Sequence, residues 1–67
     1  MTITAHIWHG NYNVELTRAG DSVVEALAQF ASSYIPGEDE PGFFKIVEQL
    51  QRTGSAQHGW VDYTLRK

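Results

Sequence analysis

Three imidazoles, His6, His9 and His58, are the only candidates this 67-residue chain offers for catalysis or a metal site. A neutral imidazole can bind zinc and can exchange protons near neutral pH. His6 and His9 stand three apart across a strand and its turn, so their side chains leave opposite faces. His58 lies far along the chain, and no pair of histidines has the spacing of metal ligands. No serine–histidine–aspartate order, phosphate-cradling glycine loop or carboxylate pair in an apolar setting accompanies them. Catalysis, a bound metal and a cofactor are therefore not expected. The plainer role is a cross-strand His6–Glu15 pair, with His9 and His58 solvated in loops.

The charge pattern points instead to recognition. Six of the eight acids, Asp21, Glu25, Glu38, Asp39, Glu40 and Glu48, fall in a span whose one base is Lys45. Part of this placement follows from helix physics, because carboxylates near a helix start gain about 0.3–1 kcal/mol from the macrodipole. An anionic flank could also dock onto a cationic site, where complementary charge speeds encounter and sets register. Trp8 and Trp60 are the second candidate contact, since tryptophan is enriched at the centres of protein interfaces. Both sit at outward positions of predicted strands, where they could instead simply cover the open face of a sheet. If the helices run the full length of the strands, the two rings lie near opposite ends of that sheet and do not form one patch.

Those residues need a scaffold, and the chain has room for one domain over residues 1–67. A domain of roughly 60 residues buries only about 60% of its unfolded surface, so its stability margin is thin. The chain holds no cysteine to reinforce it. With 42% apolar and 19% charged residues the composition is that of an ordinary folded domain. The formal net charge of −3 argues against direct nucleic-acid binding, which runs on Lys and Arg neutralising phosphates. Met1–Trp8 has neither a basic segment nor a long apolar run, and no stretch approaches the roughly 20 residues of a membrane span. A soluble, cytoplasmic protein is the expectation.

Ile3, Ala5 and Ile7 alternate with polar neighbours, as do Tyr12, Val14 and Leu16, with Gly10-Asn11 between them. The pattern predicts a hairpin with a two-residue primed turn that sets Ile7 opposite Val14 and Ala5 opposite Leu16. Ser22-Val23-Val24-Glu25 matches a helix capping box, and Val24, Leu27, Ala31 and Tyr34 continue at helical spacing toward Pro36, with Val23 and Phe30 widening the stripe. A second helix is predicted with Pro41 at its first position, Phe43, Ile46, Val47 and Leu50 on its apolar face, and Gly54 at its close. Glu48 and Arg52 are ordered for a pair along it. Ser55–Gly59 reads as a polar loop, and Trp60–Arg66 alternates as a last strand. The expected fold is α+β, ββααβ: a three-stranded sheet with two helices packed on one face. The last strand could lie parallel to the first or antiparallel to the second.

In its short length, acidity, lack of cysteine and single α/β domain, the chain resembles the small phage-encoded anti-CRISPR proteins. That resemblance implies an inhibitor that binds a host nucleic-acid-handling complex, such as a CRISPR effector, and occludes or mimics its DNA-binding site with an anionic surface. Its partner would be a protein with a basic surface, met in the host cytoplasm by a monomer or weak homodimer. A different class also fits: a small assembly subunit that oligomerises through the open sheet face or an edge strand.

Overall fold

The alternation at the N-terminus produces the hairpin it predicts. In a computed structural model that describes residues Met1–Lys67, β1 (Thr2–His9) and β2 (Tyr12–Ala19) pair antiparallel with Ile7 opposite Val14 and Ala5 opposite Leu16. Two helices follow, α1 (Val23–Ala28) and α2 (Phe43–Thr53), then β3 (Ser55–His58) and β4 (Val61–Arg66). The strands form one antiparallel sheet in the order β2-β1-β4-β3.

The sheet therefore has four strands, not the three expected. The missing strand is the stretch taken for a polar loop. Ser55, Gln57 and His58 are polar, and of the two inward positions, Ala56 and His58, only Ala56 is apolar, so four residues carry too little alternation to be recognised. Its consequence is a reversal of direction. α2 starts at the turn end of the sheet and delivers the chain to the other end; β3 then brings it back. The last strand thus enters from the turn end and runs antiparallel to β1, with Ile7 opposite Val61 and Ile3 opposite Leu65. Neither placement left open by the sequence is adopted.

Both helices are shorter than their patterns suggest. Ser22 caps α1 as expected, its Oγ accepting the Glu25 N–H at 3.1 Å, although the reciprocal bond of a capping box is not formed. The helix stops at Ala28, well before Pro36. Ser32 turns its hydroxyl back to accept the Tyr34 N–H at 3.2 Å, a local alternative with which serine competes against helix. Ala31 is consequently exposed, while Val23, Ala26, Leu27 and Phe30 face the core. α2 begins at Phe43, not Pro41, after Gly42 takes a left-handed φ of 97°. Its buried face is the predicted one, and Gly54 closes it, its N–H donating to the Leu50 carbonyl at 2.9 Å.

The core lies between one sheet face and this helical layer, built on Ile3, Ile7, Leu27, Phe43, Ile46, Leu50, Val61 and Tyr63. Of the inward strand positions, Tyr12 escapes burial and Val14, Leu16 and Leu65 are half-buried, because the helices cover the sheet unevenly. Tyr63 is a liability within the core: its hydroxyl is buried with no hydrogen-bond partner. Leaving such a group unsatisfied costs about 1–3 kcal/mol. Tyr63→Phe should therefore raise the melting temperature, by about 4–8 °C per kcal/mol recovered in a domain of this size. Burial also pushes the Tyr63 phenol far above its ordinary pKa. A folded pKa above the unfolded one gives stability that is intact below about pH 10 and lost as pH climbs from there, because only the unfolded chain releases the proton. Tyr63→Phe should flatten that alkaline decline. A lower melting temperature in the variant would show that the hydroxyl is satisfied after all.

Candidate functional site

Two tight turns of the same kind lie at one end of the sheet. Gly10 (φ 62°) opens the β1–β2 turn and Gly59 (φ 58°) the β3–β4 turn, each followed by a residue of negative φ. That is the pattern of a type II′ turn, whose twist suits a hairpin and whose first central residue is best glycine. Because β1 and β4 are antiparallel neighbours, these turns sit side by side. The Trp8 N–H donates to the Trp60 carbonyl across them at 2.9 Å.

The turn end gathers aromatic side chains from three separate segments. The Trp8 and Trp60 rings meet edge to face, 6.0 Å between centroids. Trp60 contacts His9 at 4.5 Å, His9 contacts Tyr34 at 5.7 Å, and Tyr34 contacts Tyr12 at 5.6 Å. Such spacings lie in the range where ring pairs attract beyond simple burial. Strand alternation explains the path: Trp8 points to the open face, His9 and Tyr12 to the helical side, and Trp60 in its turn bridges the two. The Trp8 indole N–H donates to Asp62 Oδ2 at 3.2 Å, fixing that ring over the open face. Yet Trp8, Tyr12 and Trp60 remain 40%, 46% and 48% exposed. The two tryptophans thus form one patch rather than lying at opposite ends, a direct result of the direction β3 imposes on β4.

The histidines are placed differently from expectation. His6 stands opposite Glu15 in register, but its Nε2 pairs with Asn13 Oδ1 at 2.5 Å instead. His9 belongs to the ring cluster, and His58 is half-buried on β3 with its ring against the Gly42 α-carbon. Both lie on strands rather than in loops, although His9 is exposed. No three His, Asp or Glu side chains converge as a metal site requires. The one depression in the surface, about 400 Å³, is an open trough on the sheet lined by Thr2, Thr4, Glu15, Thr17, Thr64 and Arg66. It has no apolar wall, unlike the enclosed clefts that usually bind small molecules.

Five of the six acids divide between the two ends of the molecule, and Glu48 lies between them on α2. Asp21 and Glu25 flank the start of α1, beside Gly20, which exchanges hydrogen bonds with Met1 at the end away from the turns. Glu38, Asp39 and Glu40 lie between Tyr34, in the ring cluster, and Gly42, against His58, and so belong to the turn end. The ends are about 20 Å apart, six residues of strand from the Thr2 row to the Trp8 row. Glu48 is on α2 and is neutralised by Arg52, 2.6 Å away, in an exposed pair worth little to stability. That is the only ion pair, so the other five carboxylates keep their charge unpaired. Arg18 does not neutralise any of them; it lies over the Phe30 ring and donates to the Thr17 carbonyl.

No protein-family model, curated protein or solved structure matches this chain. No helix is long and apolar enough to cross a membrane.

The combined surface is then an exposed aromatic patch at the turn end, flanked by the three carboxylates of residues 38–40. Sequence reasoning named Trp8, Trp60 and these acids. It missed His9, Tyr12 and Tyr34, which it assigned to a turn, an inward strand position and a helix stripe. A signal was present in the concentration of Trp, His and Tyr around the Gly10 turn, but nothing local indicated that Tyr34 and Trp60 would join them.

Proposed function

We propose that this protein is a small interaction module that docks through its turn end onto a basic surface of a partner protein and acts by covering it. The observation that carries the reading is the continuous run of rings from Trp8 to Tyr12, with Trp8, Tyr12 and Trp60 exposed and three unpaired carboxylates on the loop that leads from Tyr34 to Gly42. Large aromatic side chains supply contact area at low entropic cost, and charge at their rim steers the encounter. Together with the resemblance to anti-CRISPR proteins, this favours an inhibitor of a nucleic-acid-handling complex, such as a CRISPR effector in a host cytoplasm. Occlusion is favoured over mimicry of DNA. A mimic needs its charges in one band, whereas Asp21 and Glu25 lie at the far end and Glu48 is paired.

The test is target-DNA capture by purified CRISPR effector complexes, followed by fluorescence anisotropy with and without the protein. Block of capture is expected, with Trp8→Ala and Trp60→Ala each weakening it at least about 30-fold, as loss of a hot-spot residue does. Charge reversal at Glu38, Asp39 and Glu40 should slow association and flatten its salt dependence. Reversal at Asp21 and Glu25 should do neither. No block across a panel of effectors would remove the inhibitor reading, and block indifferent to both tryptophans would remove the docking surface.

A further inference from the structure

Every open antiparallel sheet ends in two strands whose outward N–H and C=O groups have no strand partner, and where those groups go is a question with a definite answer. On β3, the Leu65 N–H bond to the Gly54 carbonyl sets the alternation, so Ser55 and Gln57 point outward. Both are met by side chains. The Thr53 hydroxyl donates to the Ser55 carbonyl at 2.9 Å and accepts its N–H at 3.3 Å, and Gln49 Oε1 accepts the Gln57 N–H at 3.3 Å. Three of the four outward groups are thereby taken, leaving the Gln57 carbonyl, so this edge offers another strand little to pair with.

On the β2 edge the outward carbonyls are capped over one half only. Met1 and Gly20 exchange both backbone bonds, so the outward residues of β2 are Asn13, Glu15, Thr17 and Ala19. Arg18 caps the Thr17 carbonyl at 2.7 Å, and the Gln29 amide caps the Ala19 carbonyl at 2.6 Å. Asn13 and Glu15, nearest the turn, keep both of their backbone groups free.

We propose that this free half-edge pairs with the same half-edge of a second copy. A two-fold axis through Val14 sets Asn13 opposite Glu15 of the other copy and Glu15 opposite its Asn13. All four free groups of each copy are then used and no capped carbonyl is disturbed. On the helical side, half-buried Val14 meets its own counterpart and exposed Tyr12 covers half-buried Leu16 of the other copy. On the open face, each Glu15 carboxylate faces a neutral Asn13 side chain. The neighbouring register, centred on Glu15, opposes two carboxylates directly and reaches for the capped Thr17, so it is disfavoured. The dyad is normal to the sheet. It sets both helical layers on one side and both Trp8 rings on the other, in a continuous eight-stranded sheet. With four inter-strand bonds and three apolar pairs the contact is small, and small contacts make weak, concentration-dependent dimers.

Sedimentation equilibrium from micromolar to millimolar protein tests the association, and single cysteines test the register, because the chain has none of its own. The wild type should shift toward a dimer as concentration rises. In a non-hydrogen-bonded pair the α-carbons stand about 4.5 Å apart, within reach of a disulfide. Val14→Cys should therefore cross-link under mild oxidation at least tenfold faster than Glu15→Cys. In the unmodified protein, the Asn13 and Glu15 amides should gain hydrogen-exchange protection with concentration while that of Ala19 does not. A wild type that stays monomeric at millimolar concentration overturns the proposal. So does equal or faster cross-linking of Glu15→Cys, or protection at Ala19 without protection at Asn13.

Discussion

Phe43→Ala should leave a large part of the protein unfolded at room temperature, while Phe44→Ala next to it should change almost nothing. Phe43 is fully buried at the first turn of α2, whereas Phe44 is 62% exposed and touches it edge to face, centroids 5.1 Å apart. Truncating a buried phenylalanine costs about 3–5 kcal/mol, counting lost transfer energy and the cavity left behind. A 67-residue domain has roughly 3–10 kcal/mol of stability in all, at the usual 0.05–0.15 kcal/mol per residue. The loss is therefore comparable with the whole margin, and the melting temperature should fall by at least about 12 °C. An exposed substitution stays within about 0.5 kcal/mol. Circular-dichroism melts of the two variants decide the matter; equal shifts would mean that α2 is rotated from the position described here.

The second large effect is expected at Ala56, in the segment whose sequence reads as a loop. Ala56 is the inward residue of β3, almost wholly buried against the core, and Gln57 beside it points outward opposite Asp62. Ala56→Asp would set a carboxylate without a partner into that core, and an uncompensated buried charge costs about 3 kcal/mol or more. Gln57→Lys instead brings a positive charge opposite Asp62 and should be neutral or slightly stabilising. Were residues 55–58 a solvated loop, both variants would melt like the wild type. Urea unfolding curves separate the outcomes. The tryptophan patch should follow the same variant: Trp60 sits in the β3–β4 turn, so loss of β3 leaves only the β1–β4 pairing and the Trp8 N–H bond to its carbonyl to place it beside Trp8, and the emission of the two indoles should shift.

How much of this was legible beforehand depends on how far apart in the chain the cooperating residues lie. The β1–β2 register was legible because alternation and the Gly10-Asn11 turn agree, and a slip by one residue would turn every apolar side chain outward. The face of α2 was legible for a similar reason: Phe43, Ile46, Val47 and Leu50 recur at the helical period, which separates Phe43 from Phe44. The N-terminus of α1 was legible in Ser22, whereas its early end at Ala28 was not, because the apolar pattern runs on past it to Tyr34 while the chain there turns instead, with the Ser32 hydroxyl accepting the Tyr34 N–H. The acids were correctly noticed as a group along the chain and wrongly grouped in space, since proximity along the chain does not survive the traverse from one end of the sheet to the other.

Composition and periodicity by themselves determined the class of fold, the first hairpin, the two helices on one face and the identity of most core residues, all of which rest on contacts between near neighbours or on a repeating pattern. Tertiary pairing alone decided the rest. Four weakly patterned residues, Ser55–His58, become a strand because β4 offers them a partner, and that added strand reverses the direction of the last one. The reversal carries Trp60 to the turn end, beside Trp8 and His9, and so creates the surface on which the proposed function depends.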